Sequence, residues 1–298
     1  MFFCNENVVD IKCKILYKYT CSLYILTEVF DVKKFKIGFI GTGNIATAIY
    51  NGITTSGYIT PDKITVFDTS IDKTCYFKNN GSFVANDAKQ LCLDAEYVFL
   101  TVKPQIYNVV LESIKDAAND VCFIDVAAGI SINKVKELLG FNAPVIRVMP
   151  NTPISVGLGS SALVKVDPVT DAQFEFIKGC FDSCGVTAVV SEEQINTVIA
   201  VSGSSPAYIM RFAKLLADFA KDNGLNEQDA IKLVTQTLSG CAKLINESNV
   251  DISTLISNVT SPNGTTEAGL KSLDSASFDN VVYDCLNKTV KRAEELSK

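Results

Sequence analysis

A short glycine-containing run between two structured segments constrains the fold of this chain more than any other feature. Phe35–Ile40 is largely apolar and predicts a buried strand, while residues 46–57 predict a helix. The run begins directly after Ile40 and consists of Gly41, Thr42, Gly43, Asn44, Ile45 and Ala46. The first glycine permits a tight turn, the second lets the backbone approach a pyrophosphate, and the alanine keeps the helix close to the sheet. We therefore predict that residues 36–68 form a dinucleotide-binding βαβ unit.

An acidic residue at the end of the second predicted strand supports this interpretation. Asp68 follows the apolar segment 64–67 and lies 22 residues past Ala46, so a chance glycine turn in an unrelated α/β protein is the weaker reading. A carboxylate there can accept hydrogen bonds from ribose hydroxyls and would repel a 2′-phosphate. Arginine is absent nearby, although Thr69, Ser70 and Lys73 could still contact a phosphate. We therefore expect NADH or NADPH as cofactor and favour NADH.

Short apolar segments continue to alternate with helical ones as far as Val190, which predicts a doubly wound, mainly parallel sheet. After the first, the predicted strands cover 64–67, 97–100, 122–125, 145–148, 162–165 and 187–190, with a helix at 171–184. After Ser191 the strands stop, and long helices are predicted at 192–222, 226–247 and 278–298. The fold class is therefore α/β, with a Rossmann-type domain at 34–191 followed by an all-helical domain at 192–298.

Residues 1–33 precede the first convincing strand. Their apolar stretch, 11–30, is interrupted by charged residues, so it is too short and too charged for a transmembrane span. It also lacks the uninterrupted apolar region and the cleavage site of a signal peptide. The segment is either a genuine extension or upstream sequence translated from a start codon assigned too early, and we favour the second.

Composition excludes several classes of function. The net charge of −6 argues against a nucleic-acid partner, because phosphate binding needs clustered Lys and Arg. The chain contains no histidine, which excludes a Ser-His-Asp triad and histidine-ligated metals. Its ten cysteines show neither C-x-x-C nor zinc-ligand spacing. We predict a cytoplasmic protein with mostly reduced cysteines, no metal site and no membrane association.

Two further strand-end loops are candidates for cofactor contacts, since ligands of this fold lie beyond the carboxyl ends of the strands. The first comprises Thr101, Val102, Lys103 and Pro104. Lys103 could point at a phosphate or a ribose, or it could be a surface lysine on a strand ended by proline. In the second loop, 147–153, Asn151 could bond the nicotinamide carboxamide or merely cap the turn.

The helical half contains two segments that interrupt its pattern. The first, 202–208, places a glycine and a proline inside a predicted helix, where both are costly, and such a break marks close packing or a ligand. The second, 260–266, is a loop of small residues that leads into a helix at Glu267. Unpaired N–H groups at a helix N-terminus can hold a carboxylate, although a plain capped turn would look the same.

Together these segments resemble the pyrroline-5-carboxylate reductase family, the enzymes of the last step of proline synthesis. The resemblance runs from about Phe35 to the C-terminus. Besides the glycine run, it rests on VKPQ at 102–105, RVMPNTP at 147–153, SGSSPAY at 202–208 and TSPNGTT at 260–266. Two positions depart from the family pattern, since Ser205 and Asn263 stand where the family generally has glycine. Both lie in substrate-side segments, so they bear on substrate affinity more than on reaction type.

The resemblance implies hydride transfer from a nicotinamide cofactor to the imine carbon of Δ1-pyrroline-5-carboxylate, giving L-proline. It also implies that the Thr266 hydroxyl bonds the imine nitrogen, as the catalytic contact, and that N–H groups around Gly264 and Thr265 hold the substrate carboxylate. Ser202 and Ser204 would support that pocket. Family members form dimers through intertwined helical domains, and these dimers often assemble further into decamers, so each site would draw on two subunits.

Two other functions remain to be weighed. A β-hydroxyacid dehydrogenase-type enzyme would share the architecture but needs a catalytic lysine on the first helix after the domain boundary, and residues 192–211 contain none. A non-catalytic dinucleotide-binding sensor descended from the reductase would explain Ser205 and Asn263. The intact Thr266 and glycine run speak against the sensor.

Overall fold

The computed structural model describes residues 33–296, so the predicted extension at 1–33 lies, apart from Lys33, outside the described residues. The chain divides into two units, residues 1–34 and 35–298, and the second is described here. Its strands are β1 (Phe35–Ile40), β2 (Ile64–Phe67), β3 (Phe83–Val84), β4 (Ala95–Leu100), β5 (Cys122–Asp125), β6 (Val145–Met149), β7 (Gly159–Val164) and β8 (Gly185–Val189).

Helices connect and then follow these strands. Between strands lie α1 (Asn44–Thr55), α2 (Ile71–Asn79), α3 (Ala88–Asp94), α4 (Tyr107–Ile114), α5 (Ile132–Leu139) and α6 (Asp171–Asp182). After β8 come α7 (Ile195–Val198), a π turn (Ile199–Gly203), α8 (Ser205–Asp222), α9 (Glu227–Glu247), α10 (Ile252–Asn258), α11 (Thr265–Ser275) and α12 (Phe278–Leu296).

The eight strands form one sheet in the order β3-β2-β1-β4-β5-β6-β7-β8. All neighbouring pairs are parallel except β6 with β7, which are antiparallel. The order reverses between β1 and β4, and in such sheets ligands bind outside the carboxyl ends of the strands at that point. The predicted Rossmann-type sheet followed by a helical region is therefore confirmed.

The central strands of the sheet are buried on both faces, which explains why they read as nearly continuous apolar runs, whereas the edge strands β3 and β8 are largely exposed. Val98 and Leu100 belong to a core cluster with residues of α3, α4 and α5, while Phe99 between them belongs to a second cluster with residues of α1 and α6. Successive side chains of a strand point to opposite faces, so each face carries its own layer of helices.

The helix predicted at 192–222 is interrupted. A single turn and α7 lead into the π turn at Ile199–Gly203, and only then does α8 begin. The Ser204 N–H reaches the Ile199 carbonyl at 2.8 Å, five residues back, and Pro206 has no N–H to continue an α-helical ladder. π turns inside helices occur mostly at functional sites. The helices predicted at 46–57 and 171–184 are present as α1 and α6, whereas the short β3 and the helices α2 to α5 were not separately predicted.

The helical half is unusually apolar on its surface. No residue of α8 is buried, although the helix carries large apolar side chains that are 40–70% exposed: Ile209, Met210, Phe212, Leu215, Leu216 and Phe219. A contiguous apolar face of this kind marks a protein–protein contact. Among the helices described, none is long and apolar enough to cross a membrane.

Candidate active site

The glycine run forms a tight turn between β1 and α1, as predicted. Gly41 adopts the left-handed φ of +93°, and a Cβ at this position would lie 2.8 Å from the Thr101 carbonyl oxygen. Only glycine combines that backbone conformation with so close an approach. Gly43 is the N-cap of α1 and has no atom within 4 Å of the place a Cβ would occupy. The first N–H groups of α1 therefore face open space, as pyrophosphate binding requires.

The loop after β4 is fastened to this turn. The Thr101 hydroxyl donates to the Gly41 carbonyl at 2.6 Å, and the Thr101 N–H donates to the Ile40 carbonyl at 3.0 Å. Val102 and Pro104 are half-buried, whereas Lys103 is exposed at the start of a single helical turn, Pro104–Ile106. The predicted cofactor residues on β1 and β4 thus lie side by side at the switch point of the sheet.

Asp68 binds the glycine turn directly. Its Oδ2 accepts from the Thr42 N–H at 2.9 Å and from the Thr42 hydroxyl at 3.1 Å, and its Oδ1 accepts from the Ser70 N–H at 2.9 Å. Partial burial opposes ionisation, but these hydrogen bonds outweigh it and hold the pKa of Asp68 below its ordinary value. The carboxylate therefore stays charged, and one lone pair of Oδ1 is left for a ribose hydroxyl.

Asn151 serves as a bridge between the sheet and the helical half. Its Oδ1 accepts from the Ser160 N–H at 2.9 Å, and its Nδ2 donates to the Ser202 carbonyl at 3.4 Å. The Ser202 hydroxyl completes the link by donating to the Ser160 hydroxyl at 3.1 Å. Because the amide is engaged at both ends, a contact with the nicotinamide carboxamide has only one amide hydrogen available, and that contact stays a prediction.

A cleft of about 520 Å³ opens beside this bridge, within the size range of small-ligand sites. It lies between the loop after β6 and the start of α8, and both Ser202 and Ser205 line it. Ser205 does not present a free hydroxyl, because its Oγ donates to the Ala200 carbonyl at 2.8 Å and so satisfies the π turn. Close packing accounts for the glycine that interrupts the predicted helix at 203, since a Cβ there would lie 2.7 Å from Met149 Cε.

The loop before α11 has an uncapped helix N-terminus. Gly264 is the N-cap without a side-chain hydrogen bond, and a Cβ there would lie 2.4 Å from Ser261 Oγ. Asn263 has a left-handed φ of 58°, a conformation that asparagine tolerates better than most residues. The departure from glycine at 263 is therefore compatible with the backbone of the loop. Glu267 Oε2 accepts from the Asn263 N–H at 2.7 Å.

The predicted site residues fall into two groups. Those of the glycine turn, Asp68, the loop after β4 and Asn151 lie at the carboxyl ends of the strands. Thr265 and Thr266 are exposed, and the hydrogen bonds that fix their loop, among the residues described, are all local. Within the part of one chain that the structure describes, the substrate-side loop is therefore not hydrogen-bonded to the cofactor-side residues.

The sequence reasoning missed a buried polar group beneath the cofactor side. Asp125 ends β5, is 0% exposed and accepts from the Tyr107 hydroxyl at 2.6 Å. In the neighbouring strand Arg147 is 6% exposed and donates to Glu192 at 2.9 Å. An acidic residue that closes the apolar segment 122–124 was the available signal, because a buried carboxylate needs dedicated partners.

Comparison with known proteins gives consistent matches over the described unit. Residues 192–296 match the family model for pyrroline-5-carboxylate reductase dimerisation, and residues 36–129 match the model for NADP oxidoreductase, coenzyme F420-dependent. The chain is 34% identical to a pyrroline-5-carboxylate reductase of Escherichia coli K12 over 88% of this chain and 98% of that protein. It is 31% identical to the Arabidopsis thaliana enzyme of the same name, over 89% and 97%.

Solved structures of pyrroline carboxylate reductases are similar to this chain as well. A pyrroline-5-carboxylate reductase from Coxiella burnetii is 35% identical with a TM-score of 0.81, covering 89% of this chain and 99% of that one. A Plasmodium falciparum pyrroline carboxylate reductase with NADP bound is 28% identical with a TM-score of 0.83, over the same shares of the two chains.

Proposed function

The chain belongs to the pyrroline-5-carboxylate reductase family, and from that premise we propose how its own residues hold the two reactants. It reduces Δ1-pyrroline-5-carboxylate to L-proline with a nicotinamide cofactor, the last step of proline biosynthesis. The observation in the structure that best supports this chemistry is the left-handed Gly41 beside the open N-terminus of α1, because together they form a cradle for a pyrophosphate.

Residues at the carboxyl ends of β1 and β4 would hold the cofactor, which would supply the hydride. The segment 40–46 holds its pyrophosphate through backbone N–H groups, and Asp68 receives the adenosine ribose. The loop 101–104, including Lys103, borders the other half of the cofactor. Thr101 keeps this loop against the glycine turn through its hydrogen bond to Gly41, so the two halves of the proposed cofactor site are directly connected.

The substrate carboxylate is held at the N-terminus of α11. The Gly264 N–H donates to the Ser261 carbonyl at 3.0 Å, so the N–H groups that receive the anion are the first ones of α11, beginning with Thr265. The partial positive charge of the helix end favours an anion there. Glu267 is nearby, but Lys271 pairs with it at 3.0 Å and offsets its charge. The Thr266 hydroxyl then bonds the imine nitrogen, which is basic enough to be protonated in water. Ser202 and Ser204 support the pocket from the π turn.

The chain carries the family's dimerisation region and forms a homo-oligomer. We propose that the active site is completed across two subunits, because the loop that carries Thr266 is exposed in one chain and makes only local hydrogen bonds there. The exposed apolar face of α8 provides the contact surface. Assembly of such dimers into a decamer, and a cytoplasmic location, stay predictions.

Purified protein should oxidise NADH or NADPH when it is given Δ1-pyrroline-5-carboxylate, and L-proline should accumulate in equal amount. The loss of nicotinamide absorbance and a proline assay measure the two together. A β-hydroxyacid in place of the imine should give no reaction, because the segment 192–211 contains no lysine to act on it. Absence of oxidation with both nucleotides would contradict the reductase function and favour the sensor.

We propose a preference for NADH over NADPH, on the strength of the charge at Asp68. The carboxylate is ionised and lies against Thr42, where a 2′-phosphate on the adenosine ribose would be repelled. Lys73 and Ser70 are the residues that could favour NADPH instead, and a related Plasmodium falciparum structure has NADP bound. The Asp68 carboxylate favours NADH, whereas Lys73 and Ser70 could favour NADPH, so a substitution at Asp68 tests which effect is larger.

Replacing Asp68 by asparagine should raise the affinity for NADPH relative to NADH by roughly tenfold, the size of one screened charge–charge interaction at close range. Asparagine keeps an acceptor for the Thr42 N–H, whereas Asp68→Ser also removes that bond and should weaken both nucleotides. Dissociation constants for NADH and NADPH, measured by nicotinamide fluorescence, give the ratio. An unchanged ratio in Asp68→Asn would show that Asp68 does not select the cofactor.

The two alternative functions are not favoured. The dehydrogenase lacks its lysine, and the two departures that suggested a sensor have local structural explanations. Ser205 satisfies the Ala200 carbonyl of the π turn, and Asn263 accommodates the left-handed backbone before Gly264. Neither residue removes a group that the proposed reaction uses.

A further inference from the structure

Asp125 is buried directly beneath the cofactor-binding edge of the sheet. It is the last residue of β5, whose carboxyl end lies beside that of β4, and it is 0% exposed. Its Oδ1 accepts from the Ala127 N–H at 3.0 Å, which fixes the first residues of the loop after β5. In a doubly wound sheet the loops after β4 to β6 border the second nucleotide of a dinucleotide. The carboxylate therefore shapes the nicotinamide half of the proposed cofactor site.

Tyr107 connects this carboxylate to the loop after β4. Its hydroxyl oxygen lies 2.6 Å from Asp125 Oδ1 and 3.0 Å from the carbonyl oxygen of Leu100, the last residue of β4. A phenol has one proton to donate, so it serves one acceptor well at a time. When Asp125 is ionised, Tyr107 donates to the carboxylate. When Asp125 is protonated, its own proton can point at the phenol oxygen, and Tyr107 then donates to Leu100.

The groups around Asp125 do not prevent this exchange of hydrogen bonds. Its Oδ2 is the one buried side-chain oxygen or nitrogen, among the described residues, that lacks a hydrogen-bond partner. Arg147 lies opposite in the register between β5 and β6 but donates to Glu192, which also accepts from the Ile132 N–H at 2.8 Å. The charged and titratable groups around Asp125 are thus Tyr107, Arg147 and Glu192, and none of them satisfies Oδ2.

Building on the proposed function, we propose that Asp125 is a positioning residue for the cofactor, which holds the loops after β4 and β5 in their binding arrangement through Tyr107 and Ala127 only while it is ionised. Protonation moves the Tyr107 hydrogen bond from Asp125 to Leu100 and weakens the acceptor of the Ala127 N–H. The link through Tyr107 then runs in the opposite direction and the loop after β5 is held by a weaker, neutral acceptor, so the affinity for the dinucleotide falls.

The ionisation occurs in an accessible range of pH. Burial raises the pKa of Asp125 to about 6, although the Tyr107 hydroxyl, the Ala127 N–H and Arg147 each lower it, while Glu192 raises it. The folded chain therefore binds this proton more tightly than the unfolded chain, and the stability that the neutral carboxyl contributes is lost as the pH rises from about 4 to about 6. Asparagine at 125 should accordingly raise the thermal midpoint most at pH 8, and this gain should shrink as the pH falls from about 6 toward about 4.

Binding of NADH without substrate tests the proposal, and nicotinamide fluorescence follows it because the chain contains no tryptophan. Between pH 8 and pH 5.5 the dissociation constant of the wild-type protein should rise up to about fourfold, as expected for a group with a pKa of about 6 whose protonated form binds much more weakly. In Asp125→Asn the dissociation constant should be independent of pH. In Tyr107→Phe the pH midpoint of NADH binding should move to higher pH, because the Asp125 carboxylate loses a hydrogen-bond donor that favours its ionised form.

Tyr50→Phe is the matched control, since it removes the hydroxyl of another buried tyrosine that accepts a hydrogen bond from Ser82 in the other core cluster. It should leave the pH profile unchanged. A wild-type pH profile in Asp125→Asn, or an unmoved midpoint in Tyr107→Phe, would overturn the proposal. If Asp125→Asn fails to fold, the pH midpoint of NADH binding by Tyr107→Phe still tests the proposal. The NADH-binding measurement contains no substrate. If the wild-type protein binds NADH with this pH dependence but does not reduce pyrroline-5-carboxylate, the proposed function is contradicted and the role of Asp125 is not.

Discussion

Thr266→Val should reduce kcat for Δ1-pyrroline-5-carboxylate reduction by roughly 10- to 100-fold while leaving the dissociation constant of NADH unchanged. Valine has the shape of threonine but cannot hydrogen-bond, and one hydrogen bond to a charged group contributes about 1.5–3 kcal/mol. Because this bond orients the imine carbon for hydride transfer, we expect the loss in kcat more than in KM. Steady-state kinetics with both substrates varied measures the split.

The position of Thr266 makes this substitution a clean one. The side chain is exposed in the first turn of α11, and its hydroxyl has no partner among the described residues, so valine should not destabilise the fold. Thr266→Ser retains the hydroxyl and should keep most of the activity. If Thr266→Val reduces the imine at the wild-type rate, Thr266 has no catalytic role, although the reductase function itself would stand.

Gly41→Ala should weaken NADH binding by 100-fold or more, on the order of 3 kcal/mol, and also lower the thermal midpoint. Alanine at φ +93° carries a conformational cost of roughly 1–2 kcal/mol. Its Cβ would also lie 2.8 Å from the backbone oxygen of Thr101, which cannot rotate away as a side chain could. The turn must therefore shift, and the N–H groups of α1 move with it. Fluorescence titration and thermal unfolding measure the two effects.

Two further glycine variants separate the loss of stability from the loss of NADH binding. Gly57→Ala places a Cβ in open space at a φ of +75°, far from the proposed site, so it should cost some stability without affecting NADH. Gly43→Ala has φ −76° and open space around its Cβ, so it should keep the thermal midpoint but block the pyrophosphate. Should Gly41→Ala bind NADH as tightly as the wild type, the glycine turn is not the cofactor site.

The local features of the protein were readable from the sequence because each depends on residues close together in the chain. The strand at Phe35–Ile40, the turn at Gly41 and the helix after it follow from hydrophobic periodicity and from the conformational freedom of glycine. The alternation of strands and helices then predicted the doubly wound sheet. The segments around Ser202 and Thr266 indicated the family, although the π turn between Ile199 and Gly203 was read as part of a long helix.

What only the tertiary structure decided are the hydrogen bonds between residues far apart in the chain. Asn151 was predicted either to contact the nicotinamide carboxamide or to cap its turn, and the approach of β7 and the π turn engages its amide with Ser160 and Ser202. Asp68 looked like a ribose contact and also braces Thr42. The acidic residue at the end of the segment 122–124 was visible in the sequence, but only the register of β5 and β6 placed Asp125 beside Arg147. Periodicity specifies which face of a strand is buried, whereas the register of neighbouring strands and the packing of helices against them determine which polar groups meet there.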